Sequence, residues 1–391
     1  MTSETAQNLS PNVADDPSLP PEQEHGLTEQ EKFFVATPRQ LMWWRFRRHK
    51  LAMVSAVVLI GLYLIALFWE FLVPYDPHRI DVQFVFVPPQ GIHFFDEDGF
   101  HFPPYVNGLK GARDPDTLRK IYEIDPTVKL PLKFFVRGDP YKLLGFIKSD
   151  LHLFGLEDNE TAVYILGTDR LGRDMLSRLF AATRISTTIG LVGVILSLVL
   201  GILLGGISGY YGGLVDVIIQ RIIEFIRAIP SIPLWLGLGA AIPADWPMIR
   251  VYFAITIILS LIGWTGLARV VRGKFLSLRE EDFVLAARFV GVSEMRIILR
   301  HMVPSFLSHI IASLTLAVPV MILSETSLSF LGLGLRPPAI SWGTLLKEAQ
   351  NLQSVALAPW LLSPGILVVI AVLAFNFVGD GLRDAADPYV R

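Results

Sequence analysis

The chain has 391 residues, of which 52% are hydrophobic and only 18% charged, with a mean hydropathy of +0.49; a water-soluble domain carries about 25% charge. A formal charge of −2 and a pI near 6.5 leave no global positive field to draw in nucleic acid. The absence of cysteine excludes disulfides, thiolate metal sites and a cysteine nucleophile.

Residues 1–36 are polar, with Asp15, Asp16, Glu22, Glu24, Glu29 and Glu31 against the single Lys32, and are expected to form a disordered cytosolic tail. No short apolar core near the start resembles a cleavable signal, so the first apolar helix is expected to remain attached. That helix lies in the segment 37–75, over Leu51 to Trp69. Crossing a hydrocarbon core of about 30 Å takes about 20 apolar residues. Five further stretches qualify: within Ile185–Val215, Ala228–Ala244, Val251–Ala268, Pro304–Ser324 and within Ala349–Gly379.

Charge beside the spans sets their orientation, because Lys and Arg near span ends stay cytoplasmic. Arg45, Arg47, Arg48 and Lys50 precede the first span, and seven arginines and lysines from Arg269 to Arg300 lie between the fourth and fifth. Six spans then leave both termini cytoplasmic and put residues 76–165 outside. That segment is too long for a plain connector. Alternation over Asp81–Val87 and Gly91–Phe95, turn signals at Pro88-Pro89, Asp98-Gly99 and Pro103-Pro104, and a helical pattern over Asp116–Tyr122 predict a mixed α/β insert, the alternative being an irregular cap. Residues 166–391 form the rest of the bundle.

The loop 269–303 is long, charged and helix-prone, and is expected to fold as helix, turn and helix against the membrane surface. From Asp282 the chain reads through Leu285, Ala286 and Ala287 to Gly291, which permits a left-handed backbone between the helices. Ser293 is a candidate N-cap for the next helix, with Glu294 and Arg296 in its first turn, and Pro304 follows.

Here the chain resembles the permeases of ABC importers of the dipeptide, oligopeptide and nickel type. Their loop reads Glu-Ala-Ala, three residues, Gly, nine residues, then Ile-x-Leu-Pro. Ala286, Ala287, Gly291 and His301-Met-Val-Pro304 keep the spacing, with Leu285 in place of Glu, His301 of Ile and Val303 of Leu. The resemblance extends to Gly167-Thr-Asp-Arg-Leu-Gly-Arg-Asp174, Gly209-Tyr-Tyr-Gly-Gly213, Ser327-Leu-Ser-Phe-Leu-Gly-Leu-Gly334, Pro337-Pro338, Ser341-Trp-Gly343, Gly379-Asp-Gly-Leu-Arg-Asp384 and Asp387-Pro388. It implies an all-α polytopic fold of the type I importer permease, in the bacterial inner membrane. The loop residues would dock in a groove of an ATPase. The implied partners are a second, homologous permease, two ATP-binding subunits, a periplasmic substrate-binding protein and membrane lipid, with no nucleic acid. ATP and Mg would sit on the partner subunits. This chain would bind no cofactor and have no catalytic residue; Gly273-Lys274 is followed by Phe275 rather than the hydroxyl a phosphate-binding loop needs.

Glu325 lies between apolar runs, where an ionisable group is costly. It reads either as part of a gate or substrate path or as a local cap for the turn after it. Asp169, Arg170, Arg173 and Asp174 read as capping and ion-pairing groups rather than acid-base chemistry. The histidines have no ligand spacing, so no metal is expected. The rival to the importer reading is a stand-alone secondary transporter or channel, which would show broken helices with coordinating polar groups or paired intramembrane acids.

Overall fold

A computed structural model describes residues 37–386, apart from 97–98, 114, 116–119 and 157–161. The expected tail 1–36, the Asn159–Thr161 tripeptide and Asp387-Pro388 lie outside the described residues. Helix α1 (Pro38–Arg48) opens with a capping box: Gln40 N–H donates to Thr37 Oγ1 at 3.4 Å and Thr37 N–H to Gln40 Oε1 at 2.9 Å. Arg45, Arg47 and Arg48 fill its last turn, where cations favour the helix dipole. His49 Nδ1 accepts from Ala52 N–H and starts α2 (Lys50–Leu72), the first apolar helix.

The insert folds as strands β1 (Ile92–Asp96), β2 (Gly99–Arg113) and β3 (Lys120–Pro131) in one antiparallel sheet, with β4 (Lys133–Leu143) and β5 (Ile147–Gly155) as a separate hairpin. The expected strand at Gly91–Phe95 is β1. Three local expectations fail. Asp81–Val87 is a chain of turns in which Phe84 and the fully buried Val87 pack with Tyr122 and Tyr164. Lys120–Tyr122, expected as the end of a helix, open β3, because pairing of Ile121 with Ala112 and Tyr122 with Gly111 overrides local helix propensity; 116–119 lie outside the described residues. Pro103-Pro104 sits inside β2 and makes no turn.

The bundle follows with α3 (Met175–Tyr211), α4 (Gly213–Ala228), α5 (Ser231–Ala240), α6 (Met248–Leu278), α7 (Asp282–Phe289), α8 (Leu307–Phe330), α9 (Trp342–Glu348) and α10 (Ser363–Ala386). Among the described residues five helices are long and apolar enough to cross a membrane, six if α4 and α5 count as one span. Of the third span expected at Ala228–Ala244 only Ser231–Ala240 is helical as α5, and α4 precedes it at an angle of 83°, with Ile229 and Pro230 extended between them. The second span begins at Met175, ten residues earlier than its uncharged stretch, because Arg178 and Arg184 find carboxylates. The fourth continues past Ala268 through Arg272 and Lys274 to Leu278, and the fifth starts at Leu307, after Pro304 has passed in a short turn.

Helices α3 and α6 run parallel, with Ser260 Oγ donating to the Gly193 carbonyl at 3.0 Å and Gly263, Leu267, Ala268 and Arg272 successively opposite Ser197, Gly201, Gly205 and Gly209. A Cβ on Gly205 would lie 2.4 Å from the Ala268 carbonyl oxygen, and one on Gly209 2.7 Å from that of Arg272. The two backbones can approach this closely only with glycine there. Ile322 and Met321 of α8 pack on the same helix at Gly190 and Gly193, and with Ile189, Leu259 and Trp342 they form the main core.

Candidate functional site

The loop after α6 is pinned from beneath. Val284 of α7 is fully buried among Phe275, Ile297, Ile298 and Met302, and Ala287 packs on the same cluster. Helical spacing turns Phe283, Ala286 and Phe289 the other way. Phe289 and Val290 are 91% and 83% exposed, an apolar knob at the end of the helix. Asp282 and Ala286 are exposed and Leu285 half-buried.

Gly291 has φ +77° with nothing within 4 Å of where a Cβ would stand, so it is needed for its backbone and not for space. Val292 N–H donates to the Ala287 carbonyl at 3.1 Å and Gly291 N–H to that of Arg288 at 3.0 Å. Together these bonds make a complete Schellman cap. Val292 and Ala287 meet the same apolar cluster, the contact that accompanies this cap. Ser293 stands at the N-cap of the single turn Glu294–Arg296, yet its side chain makes no capping bond, because the turn passes at once into a π-helix over Ile297–Met302. Glu294, Arg296 and Pro304 are exposed.

Two contacts tie this loop to the end of α3. Arg288 Nε donates to Tyr210 Oη at 3.0 Å with its guanidinium 4.6 Å from the ring centre, and Tyr211 Oη donates to the Glu294 carboxylate at 2.5 Å. Beside them Arg272 of α6 grips Asp216 of α4 with two bonds of 2.5 Å, and Ser208 Oγ donates to the same carboxylate. Tyr210, Tyr211, Asp216, Arg272 and Arg288 are the residues that sequence reasoning missed as a group. Gly209–Gly213 stands out as a motif, but nothing local pairs it with positions 272, 288 or 294.

Glu325 is fully buried in α8. It accepts from Ser329 Oγ at 2.7 Å and Ser186 Oγ at 3.3 Å. Ser329 Oγ in turn accepts from Leu335 N–H, and Ser186 Oγ from Trp342 N–H. The carboxylate thus organises the turn after α8 and seats Ser341-Trp-Gly343 on α3. The cavity at the end of the bundle, lined by Trp246, Leu335, Arg336 and Pro337, does not reach it.

At the other end of α3, Asp169 and Glu348 share Arg173 and Arg178: Arg173 Nε is 2.7 Å from Asp169 and its Nη2 2.8 Å from Glu348, and Arg178 bonds both acids. Arg178 and Asp169 are buried and Arg173 and Glu348 half-buried, so two cations balance two anions. Asp174 caps α3 by accepting from Ser177 N–H at 2.8 Å, and burial pushes its carboxyl up to about 6 against the pull of the Ser177 bonds. Among the described residues no cluster of three or more His, Asp and Glu side chains could hold a metal.

Residues 166–391 match the family model described as binding-protein-dependent transport system inner membrane component, and residues 37–89 that of the N-terminal TM domain of oligopeptide transport permease C. The chain is 39% identical over 226 residues to the oligopeptide transport system permease protein OppC of Bacillus subtilis, covering 58% of this chain and 72% of that one. It is 38% identical over 244 residues to the Haemophilus influenzae protein of the same name, covering 62% and 76%. The dipeptide transport system permease protein DppC of Lactococcus lactis is 32% identical over 353 residues, covering 88% of this chain and 89% of that one. Among solved structures, an inward-facing MetNI methionine ABC transporter aligns with a TM-score of 0.41 at 19% identity, over 54% of this chain and 95% of that one.

Proposed function

We propose, from the premise that this chain belongs to the binding-protein-dependent transport system inner membrane component family, that it is one permease subunit of an ATP-driven importer of peptides or similar small solutes. It would line the path with a second permease, and two ATP-binding subunits would hold the ATP and Mg that drive it. The importer's cargo would arrive on a periplasmic binding protein. This chain would itself catalyse nothing. The observation that carries the reading is the knob of Phe289 and Val290, apolar in a loop otherwise rich in charge and held by a Schellman cap. Such a patch calls for a protein surface, and its ties to α3 and α6 give that surface a handle on the bundle.

Six spans with both termini cytoplasmic fit the packing. Because α3 and α6 are parallel, Met248 stands level with about residue 181 of α3, roughly 45 Å from Tyr211 at 1.5 Å per residue. The connection through α4 and α5 must return that distance, which exceeds the hydrocarbon core of about 30 Å. We therefore count the bent pair as one span and put the insert and the α7 loop on opposite sides, the basic loop facing the cytoplasm.

The test is co-purification. Expressed with its genomic neighbours, the chain should bring down two nucleotide-binding proteins and a second permease. A Phe289→Asp, Val290→Asp double variant should insert in the membrane at the same level but lose the ATPases. A chain that purifies alone and moves solute without ATP would instead be a secondary transporter or channel.

A further inference from the structure

The insert carries an aromatic ridge outside its own small cores. Phe95 and Phe100 face each other across β1 and β2 with ring centres 5.3 Å apart, and Phe102, on the same side of β2, stacks on Phe134 of β4 at 6.1 Å. Phe135 follows with φ +57°, a region bulky residues seldom adopt. That backbone breaks the alternation of the strand and leaves both neighbouring rings exposed. Phe102 and Phe135 are 72% and 63% exposed, while the cores form elsewhere, around Val106, Leu132 and Val163 and around Val87, Tyr122 and Tyr164.

The ridge joins the outward face of α2, a helix long and apolar enough to cross a membrane. On α2, Val57, Ile60, Leu64 and Leu67 are exposed at a spacing of three and four; the helix kinks at Phe68, and half-buried Phe71 follows in its last turn. The Phe71 ring lies 6.3 Å from that of Phe135. The end of the apolar helix, beyond its kink, therefore meets the ridge through Phe71. Lys133 and Arg137 flank the two phenylalanines on β4, the arrangement in which aromatic rings sit at headgroup depth and cationic side chains reach toward water.

We propose that the insert rests on the bilayer through this ridge, with Phe102, Phe134 and Phe135 seated in the interface beside the end of α2. The inference requires only that α2 crosses the membrane and stands apart from the importer reading. An insert anchored in this way cannot swing freely above the bundle, and its opposite faces stay directed to the aqueous side.

The absence of cysteine permits a direct test. Phe95→Cys, Phe102→Cys and Phe135→Cys variants of the full chain, each carrying a nitroxide label, are reconstituted in nanodiscs of phosphatidylethanolamine and phosphatidylglycerol. Glu123→Cys, on an exposed part of β3 paired with Lys110 away from the ridge, is the aqueous control. The expected result is an oxygen-to-nickel-chelate accessibility ratio at 102 and 135 that exceeds the ratio at 123 severalfold. Equal nickel access at the ridge and at 123 overturns the proposal. So does a ridge closed to both reagents, which would mean a protein covers it, or one that loses nickel access only when the binding protein is added. Phe95 supplies a second ridge position should either of the other two variants melt below the parent chain.

Discussion

Replacing Gly291 separates the conformation of the α7 cap from the space around it. A Cβ at this position meets no atom within 4 Å, so a side chain adds no clash. The whole cost is that of holding an L-residue at φ +77°, roughly 1–2 kcal/mol for most residues and less for Asn. At 1.4 kcal/mol per factor of ten, Gly291→Val should reduce the equilibrium constant for the capped loop, which presents Phe289 and Val290, about tenfold. Gly291→Asn should lose little. The assay is ATPase activity of the reconstituted assembly with loaded binding protein, beside solute uptake, at matched amounts of chain in the membrane. Stimulation should follow the order Gly, Asn, Ala, Val, while the thermal midpoint of the bundle barely moves because the cap lies outside the main core. If Gly291→Val couples as well as the parent, the left-handed cap does not present the knob and the docking argument fails.

The remaining predictions concern buried charge. Asp174 has its folded pKa raised from 3.8 to about 6, so its contribution to stability is full below about pH 3.8 and is lost as pH rises through about 6. Asp174→Asn keeps an N-cap and should flatten the pH dependence of the melting curve between pH 4 and 7, recovering up to about 3 kcal/mol near pH 8; an unchanged pH profile would count against the assignment. Arg178→Met leaves Asp169 and Glu348 sharing one cation and should cost about 3–5 kcal/mol, with Glu348→Gln partly restoring stability in the same chain; a neutral Arg178→Met would remove the ion cluster from the account of the fold. Glu325→Ala and Ser329→Ala should each lower thermal stability by about 1–3 kcal/mol and combine with less than additive loss. Transport lost without any loss of stability would favour the gate.

Much of this arrangement is legible in residue order, and the failures share a cause. Uncharged length marks the spans wherever a helix meets lipid on one side, as at Leu51–Trp69. It misjudges their ends wherever a charge is paired by a distant residue, since Arg178 reads as a stop until Glu348 is placed beside it. Local signals also captured the Schellman turn, because Gly291 needs only its own backbone. Ser293 was a reasonable cap by residue type, but the π-helix that follows takes the chain out of reach. The strands at Gly99–Pro131 were obscured by prolines at 103, 104, 126 and 131, which pairing across β2 and β3 tolerates. The notable omission is the pairing of Tyr210 and Tyr211 with Arg288 and Glu294, some eighty residues on, which no pattern within a helix announces.

Those two tyrosines give α3 its mechanical meaning. The helix is 37 residues long, about 55 Å at 1.5 Å per residue. One end carries the knob's ties at Tyr210 and Tyr211. The other begins at Asp174, where Thr168 N–H donates to the Val87 carbonyl and Asp81 N–H to that of Leu171, binding the helix start to the base of the insert. Along its length the close approach of α6 at Gly205 and Gly209 leaves no room for the pair to slide without separating. A displacement imposed on the α7 loop would therefore be carried to the other end of α3 through one continuous helix backed by a second, whereas the α4–α5 pair is interrupted by its 83° bend. Because α3 also carries Ser186, which seats Glu325 and Trp342, the same movement is delivered to the turn that follows α8. Two discrete arrangements of that turn, biased by whether the knob is docked, would make the coupling switch-like, as allosteric transmission through packed elements requires.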